Sequence, residues 1–306
     1  MNKNQKPLWG IDLGGTKVEG VVIESADNPE VLARIRLPTE RVNGYDHIIG
    51  QIGKVINLLG KETGLKPEKI GMGTPGIIDP STGLMKNSNT VVLNHRPFLE
   101  GVRTTLKLPV VMTNDANCMA LAETLMGSVK DNYPEARVVF GVILGTGVGG
   151  GVVIDGKVWN GRMGIGGEWG HNFLDESGGK CYCGKLGCVE NVISGPALEA
   201  YYHSNGGEKL SLKEIYKRYQ SKEPLAINCL ERLFHFFPLA ISCVLNILDP
   251  DVIVLGGGVG NIEELYTKAV PKTADFVFND KVDTIFLKPK LGDSAGVFGA
   301  AYLSLT

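Results

Sequence analysis

The sequence predicts an α/β protein of two related domains, and three observations lead there. A strand–glycine turn–strand unit occurs at Leu8–Ile23 and again at Val138–Ile154, about 130 residues later. Apolar strands alternate with segments of helical periodicity along most of the chain. The length, 306 residues, exceeds what one small core accommodates.

Taken in order, Leu8–Leu13 is an apolar strand ending in Gly14-Gly15-Thr16-Lys17, and Val18–Ile23 follows directly as a second strand. Residues 46–60 place Ile and Val at helical spacing and stop at Gly60. Ile70–Thr74 reads as a short strand before Pro75-Gly76, and residues 107–113 as another before Asn114-Asp115. Ala116–Met126 is an Ala-, Leu- and Met-rich helix closed by Gly127. Then the opening pattern recurs: strand Val138–Leu144, turn GTGVGGG, and a strand from Val152. Asp155-Gly156 is a two-residue hairpin turn. Residues 229–248 read as a long buried helix kinked at Pro238. Strand Asp251–Leu255 leads into a third glycine turn, LGGGVG, with a helix expected from Asn261. The last segment, Asp293–Leu305, is a helix capped by Asp293 or Ser294.

Composition narrows the function classes. Hydrophobic residues make up 43% and charged residues 21%, with a net charge of −2, so no basic field draws nucleic acid or anionic membrane. The start, MNKNQKPLWGIDLGG, has no signal-peptide pattern, and no apolar run approaches the roughly 20 residues that span a bilayer. A cytoplasmic location is therefore expected. Reduced thiols there favour metal ligation over disulfides. Cys181, Cys183 and Cys188 cluster ten residues beyond His171, and Gly184 and Gly187 let the chain fold back so the sulfurs converge. Three Cys and one His complete a tetrahedral zinc sphere, closed and hence structural. Cys118, Cys229 and Cys243 lie in apolar helical contexts and read as core.

Glycine turns after strands bring backbone N–H groups close to phosphate. No P-loop pattern occurs. Gly145, Gly147 and Gly150 fit G-x-G-x-x-G, but a dinucleotide site needs a helix next, and GVVIDGKVWNG is hairpin sequence. Two such hairpin loops in two related domains suit a cleft that grips a nucleotide from both sides. Three tight turns without a ligand are the plainer alternative. Asp115, where a strand gives way to a helix, reads either as an N-cap or as a carboxylate facing that cleft. Lys17 reads either as phosphate-facing or as a strand-edge surface lysine. On residue type alone Glu168 and Glu190 are ordinary surface acids.

The motifs DLGGTK (12–17), TNDAN (113–117), LGTGVGGG (144–151), GGEWGH (166–171), CYCGKLGCVEN (181–191) and LGGGVG (255–260) occur in the order found in the ROK family. The chain resembles that family over nearly its whole length. The resemblance implies two duplicated actin-like (ribonuclease H-like) α/β domains flanking a cleft, with a zinc knuckle at 171–188. The expected small domain is 1–117 plus a C-terminal helix 294–306, and the large domain is 118–293. The resemblance also implies Asp115 as the base of ATP-dependent phosphoryl transfer. Gly76, Asn89, Asn114, Glu168, His171 and Glu190 would then contact the sugar, as would Asp115 itself. Asp12 would hold Mg²⁺ through water. Gly14, Gly15, Thr16, Lys17, Gly145, Thr146, Gly147, Gly256, Gly257 and Gly258 would hold the nucleotide. His171, Cys181, Cys183 and Cys188 would bind structural Zn²⁺. Paired carboxylates suit an unphosphorylated hexose, so the expectation is a glucokinase acting on the 6-hydroxyl, working as a homodimer, the family's habit. The alternatives are an N-acetylhexosamine kinase, a fructokinase, or a sugar-binding ROK regulator lacking its DNA-binding domain. A first core strand near Leu8 leaves no room for such a domain within this sequence.

Overall fold

The structure, a computed structural model, describes residues 5–305. Residues 1–4, which open the expected first domain, and Thr306, which ends the expected last helix, lie outside the described residues. In chain order the elements are β1 Leu8–Leu13, β2 Lys17–Ile23, β3 Val31–Pro38, α1 Tyr45–Thr63, β4 Ile70–Thr74, β5 Ile77–Ile78, β6 Met85–Lys86, α2 Phe98–Leu106 and β7 Val110–Asn114. Then come α3 Asp115–Leu125, α4 Ser128–Asn132, β8 Val138–Leu144, β9 Val148–Ile154, β10 Lys157–Val158, α5 Val189–Ile193, α6 Gly195–Ser204 and α7 Leu212–Gln220. The chain closes with α8 Pro224–Leu248, β11 Val252–Gly256, β12 Ile285–Leu287 and α9 Ala295–Leu303.

Two compact units form. The first takes the chain as far as Asn132, Gly151–Gly166, and the chain from Lys290 on. The second takes Tyr133–Gly150 and Gly167–Pro289. The expected boundary at 117/118 falls inside α3, which belongs as a whole to the first unit.

The first unit is built on a sheet of order β3-β2-β1-β4-β7, with β1, β4 and β7 parallel and β1–β2–β3 an antiparallel meander. On one face α1 buries Ile48, Ile52, Val55 and Leu59 against Trp9, Ile11 and Val22. Each such aliphatic side chain contributes about 1.5–3 kcal/mol by leaving water. On the other face α9 lies directly on the strands. That close approach needs bare backbone: a Cβ on Gly10 would stand 2.4 Å from the Val297 carbonyl oxygen, and one on Gly71 only 1.7 Å from that of Ala300. Because α9 covers the carboxyl ends of β1 and β4, its first turn arrives beside Asp12.

In the second unit β8 is flanked by β11 in parallel, with β12 beyond it, and by the start of β9 on the other side. The end of β9 turns through Asp155 and Gly156, both at positive φ (49° and 72°), into β10, as the hairpin reading requires. Helix α8 buries Leu230, Leu233, Phe234, Phe237 and Ile241 and contacts α5, α6 and α7. Among the described residues α8 is the one helix long and apolar enough by length and composition to cross a membrane, against the expectation that no apolar run approaches that length, but 56% of its apolar window is buried inside the protein.

Several local expectations are corrected. Helix α1 runs past Gly60 to Thr63 and closes at Gly64, whose φ of 71° suits a left-handed cap. No α-helix starts at Asn261; short 3₁₀ and π turns occupy Val259–Asn261, Leu265–Ala269 and Val270–Asp275. Ser294 precedes α9 but makes no side-chain cap bond. Cys118 and Cys229 are buried as expected, whereas Cys243 is exposed.

Candidate active site

In the first unit Asp12 is the last residue but one of β1 and meets two glycines. A Cβ on Gly73 would lie 3.4 Å from its carboxylate and one on Gly296, in the first turn of α9, 3.2 Å. Burial, and then repulsion from the Asp115 carboxylate, push Asp12 up to about 7. The Gly14-Gly15-Thr16 turn beside it closes by a 2.8 Å bond from the Gly14 N–H to the Lys17 carbonyl. Thr39 pins the turn from behind: its N–H donates to the Thr16 carbonyl at 3.0 Å and its hydroxyl to that of Gly14 at 2.7 Å. Thr39 is fully buried and carries no motif, so sequence reading passed over it. Lys17 does not stand free at the strand edge. Its Nζ donates to Glu19 at 3.2 Å.

The N-D pair divides its labour. Asn114 is the N-cap of α3, its side-chain oxygen accepting from the Asn117 N–H at 2.8 Å. The cap that sequence alone could assign to Asp115 therefore falls one residue earlier, and Asp115 becomes the first helical residue with its side chain exposed. Neighbouring protein still strips part of its hydration, which raises its carboxyl, while the Ala116 N–H donating at 2.8 Å works the other way. Beneath it Asn117 is wholly buried and fully engaged. Its Nδ2 donates to the Thr113 hydroxyl at 3.1 Å and to Asn160 Oδ1 at 3.3 Å, and its Oδ1 accepts from the Val152 N–H at 3.1 Å. Asn117 and Asn160 thus hold the first turn of α3 rigid. Asn160 belongs to the quoted hairpin sequence but to none of the family motifs.

Gly76 and Asn89 come together near the end of β4: the Asn89 N–H donates to the Pro75 carbonyl at 3.3 Å. Gly76 has no room for a Cβ, which would stand 2.8 Å from the Lys86 carbonyl oxygen. Asn89 is exposed.

In the second unit the β8–β9 glycines serve distinct neighbours. A Cβ on Gly147 would lie 2.7 Å from Glu190 Oε2, the same oxygen that accepts the Val148 N–H at 2.9 Å. A Cβ on Gly150 would strike the Gly167 carbonyl at 2.5 Å. Trp169 is buried and donates through Nε1 to the Gly149 carbonyl at 3.0 Å, and Gly170 presses onto Val148. The E-W-G-H turn, with Glu168 at its head and His171 at its end, is therefore seated on β9 by its two middle residues. Gly257 has φ 85° and abuts Leu144, where a Cβ would lie 2.4 Å from the carbonyl oxygen. Gly145, Thr146 and Gly258 line a cavity of about 740 Å³ together with Pro196, Tyr216 and Ile262. That is the size and mixed polar–apolar character of a nucleoside site. Gly256 ends β11 just behind it.

The cysteines and histidine do converge. The Cys181, Cys183 and Cys188 sulfurs and a His171 ring nitrogen all lie within 4.8 Å of one another. Cys183 and Cys188 sulfurs are 3.6 Å apart, and Cys181 Sγ is 3.8 Å from His171 Nδ1. Tetrahedral bonds of about 2.3 Å to sulfur and 2.0–2.1 Å to nitrogen require edges of roughly 3.6–3.8 Å. Gly184 and Gly187 sit at φ 88° and 66°, the reversals the sequence called for. Burial and the crowding sulfurs of Cys183 and Cys181 push Cys188 up to about 12, so ionising Cys188 calls for a cation beside it. The donors fit a zinc ion. His171 turns its other nitrogen, Nε2, to the Tyr182 hydroxyl at 3.1 Å.

Residues 8–306 match the model of the ROK family, and the chain belongs to that family. It is 34% identical to the N-acetyl-D-glucosamine kinase of Pasteurella multocida, covering 97% of this chain and 99% of the relative. It is 35% identical to the N-acetyl-D-glucosamine kinase of Haemophilus influenzae, over 97% and 99%. Among solved structures, the ROK hexokinase of Thermus thermophilus superposes with a TM-score of 0.85 at 29% identity, covering 97% of each chain. A ROK family glucokinase of Streptomyces griseus, in complex with glucose and AMPPNP, gives 0.75 at 26%, covering 97% of this chain and 99% of that one. These relatives support a sugar kinase of the ROK family.

Proposed function

We propose that the protein is an ATP-dependent N-acetylhexosamine kinase whose acceptor is N-acetyl-D-glucosamine. The observation that carries this is the set of curated N-acetyl-D-glucosamine kinases, 34–35% identical along nearly their full length. It displaces glucose as the first choice of acceptor. Glucose remains the second reading, favoured by the glucose-bound Streptomyces griseus neighbour.

In this reading the sugar is held by Glu168 and Glu190, by Gly76, Asn89 and Asn114, and by His171 once its Nε2 exchanges the Tyr182 hydroxyl for a sugar hydroxyl. Asn114 spends its oxygen on the α3 cap, which leaves its amide N–H groups to donate to sugar hydroxyls. Asp115, exposed at the start of α3 with its carboxyl raised by partial desolvation, accepts the proton of the 6-hydroxyl. The freed oxygen attacks the γ-phosphorus as the bond to the ADP oxygen breaks. Asp12 would hold Mg²⁺ through water, and the ion would neutralise phosphate charge. The Gly14–Lys17 turn and Gly145–Gly147 would approach the phosphates, and Gly256–Gly258 with the 740 Å³ cavity would take the adenosine. Zn²⁺ on His171, Cys181, Cys183 and Cys188 would be structural. Its use to the reaction is to fix the His171 ring and the start of α5, which carries Glu190. Two actin-like domains related by duplication are part of the same proposal. The two glycine hairpins, each closing at the end of a parallel strand, support it.

The test is a competition. The protein receives limiting Mg·ATP and equimolar N-acetylglucosamine, N-acetylmannosamine, glucose and fructose, and the sugar phosphates, isomers of equal mass within each pair, are separated by chromatography against authentic standards before detection by mass spectrometry. N-acetylglucosamine 6-phosphate should dominate. A hexose phosphate in its place would move the acceptor to the second reading, and no phosphorylated sugar at all would end both.

A further inference from the structure

Glu19 lies in β2 with no exposed surface, and three cations converge on it. Lys17 Nζ is 3.2 Å from Oε2, and Arg36 donates to the same oxygen through Nε at 3.1 Å and Nη2 at 2.8 Å. Arg34 donates to Oε1 through Nε and also reaches Ser294 Oγ, at 2.6 Å, just before α9. One guanidinium fork satisfies a buried carboxylate. Here three positive charges meet the Glu19 carboxylate and, through Lys17 and Arg36, the neighbouring Asp12, which still leaves one cation in excess, and the three side chains keep 32%, 36% and 49% of their surface exposed. A purely structural pair gains nothing from the excess, because like charges repel.

The excess is also placed. The register pairs Asp12 with Glu19 and Glu19 with Arg36, so the three stand in one row across β1, β2 and β3 on one face of the sheet. Lys17 and Arg34, each two residues from a member of that row, share the face. Lys17 directly follows the Gly14-Gly15-Thr16 turn. Lys17 and Arg36 retain N–H groups that find no protein acceptor among the described residues. Glu19 therefore fixes three long side chains whose remaining donors point to an anion with several oxygens.

We propose that Lys17, Arg34 and Arg36, set in place by Glu19, form a subsite for the phosphate chain of the donor. The ligand class is a linear polyphosphate, carried by a nucleoside triphosphate. The proposal rests on the phosphoryl-transfer reading above and adds Arg34 and Arg36 to the residues that take the donor. Glu19 acts as a positioning residue. Its carboxylate does not touch the ligand.

The experiment is calorimetric titration of AMP, ADP, ATP and inorganic tripolyphosphate into the full chain and its Arg36→Gln and Arg36→Lys variants, with Mg²⁺ and without sugar. Arg36→Gln should weaken ATP and tripolyphosphate by about tenfold, ADP by less and AMP by under about twofold. The loss should shrink as salt rises, and N-acetylglucosamine affinity should hold. Arg36→Lys keeps the pairing with Glu19 and should weaken ATP only about threefold, again sparing AMP. Equal losses for AMP and ATP, or no loss for ATP, overturn the subsite, and Arg36→Lys decides the matter if Arg36→Gln does not fold. ATP and tripolyphosphate weakened together assign the contact to the chain of phosphates; ATP weakened alone would assign it to the nucleoside and sink the proposal. A parent protein that binds neither ATP nor ADP sinks the kinase reading and this subsite with it.

Discussion

Replacing Asp12 by Asn should stabilise the resting protein and stop it working, and the size of the first effect can be worked out. The Asp12 carboxyl is raised from 3.8 to about 7, chiefly by burial and then by Asp115. Its ionisation is thus easier in the unfolded chain than in the folded one. Between roughly pH 4 and pH 7 the native state holds a proton that the unfolded state has released, so stability falls as pH rises through that window. At 1.36 kcal/mol per pH unit the ceiling is about 4 kcal/mol. Residual hydration trims it, and about 2–3 kcal/mol is expected above pH 8. Asn keeps the shape and cannot ionise. In urea, with a slope near 3 kcal/mol/M for a chain of this size, the Asp12→Asn midpoint should exceed the parent's by about 1 M at pH 8.5 without Mg²⁺. At pH 4 the two should nearly coincide. Saturating Mg²⁺ at pH 8.5 should close the gap by stabilising the parent alone, while phosphoryl transfer by the variant is lost. A midpoint difference that is the same at both pH values would refute the reasoning, because it would mean that packing, not ionisation, separates the two proteins.

Asp115→Asn should keep the fold and bind N-acetylglucosamine within about threefold of the parent, since the cap belongs to Asn114; calorimetry checks this. Its kcat should drop about 10²–10⁴-fold, the usual contribution of a general base, and a kcat within threefold of the parent would remove Asp115 from that role. Elemental analysis should find about one zinc per chain in the parent and none in Cys188→Ser. In that variant sugar affinity should fall by roughly 10–100-fold or more while ATP affinity changes little. Zinc lost with sugar affinity unchanged would reduce the knuckle to a loop staple.

Much of this was legible because each motif carries its own backbone requirement. The Gly14-Gly15-Thr16 turn, Asp-Gly at the hairpin and the two glycines of the knuckle state local geometry outright and stand where sequence puts them, whereas β9 already begins at Val148, so only Gly145–Gly147 of the expected GTGVGGG turn remain a turn. Other features were hidden for a physical reason. Thr39, Asn117 and Asn160 act through bonds to residues 23, 35 and 43 positions or more away in sequence. No local pattern betrays a partner that folding supplies. The roles of Gly147 and Gly150 were masked too. Both invite a phosphate explanation, yet a Cβ at either would first meet Glu190 or the Gly167 carbonyl. The cap assignment differed by one residue because Asn and Asp are both good N-caps. The acceptor was the least legible feature: carboxylates and an imidazole suit any vicinal diol, and nothing in the quoted motifs speaks for an acetamido group.

The central claim is that this chain phosphorylates an N-acetylhexosamine at the expense of ATP. The most direct measurement is steady-state kcat/KM in a coupled ADP-release assay with Mg·ATP, comparing N-acetylglucosamine with glucose. The account predicts turnover with both metal and ATP required, and a specificity constant for N-acetylglucosamine at least about tenfold above that for glucose, a difference of about 1.4 kcal/mol in transition-state binding. A constant for glucose equal to or above that for N-acetylglucosamine would contradict the proposed acceptor, and no ADP release with any sugar would contradict the kinase itself.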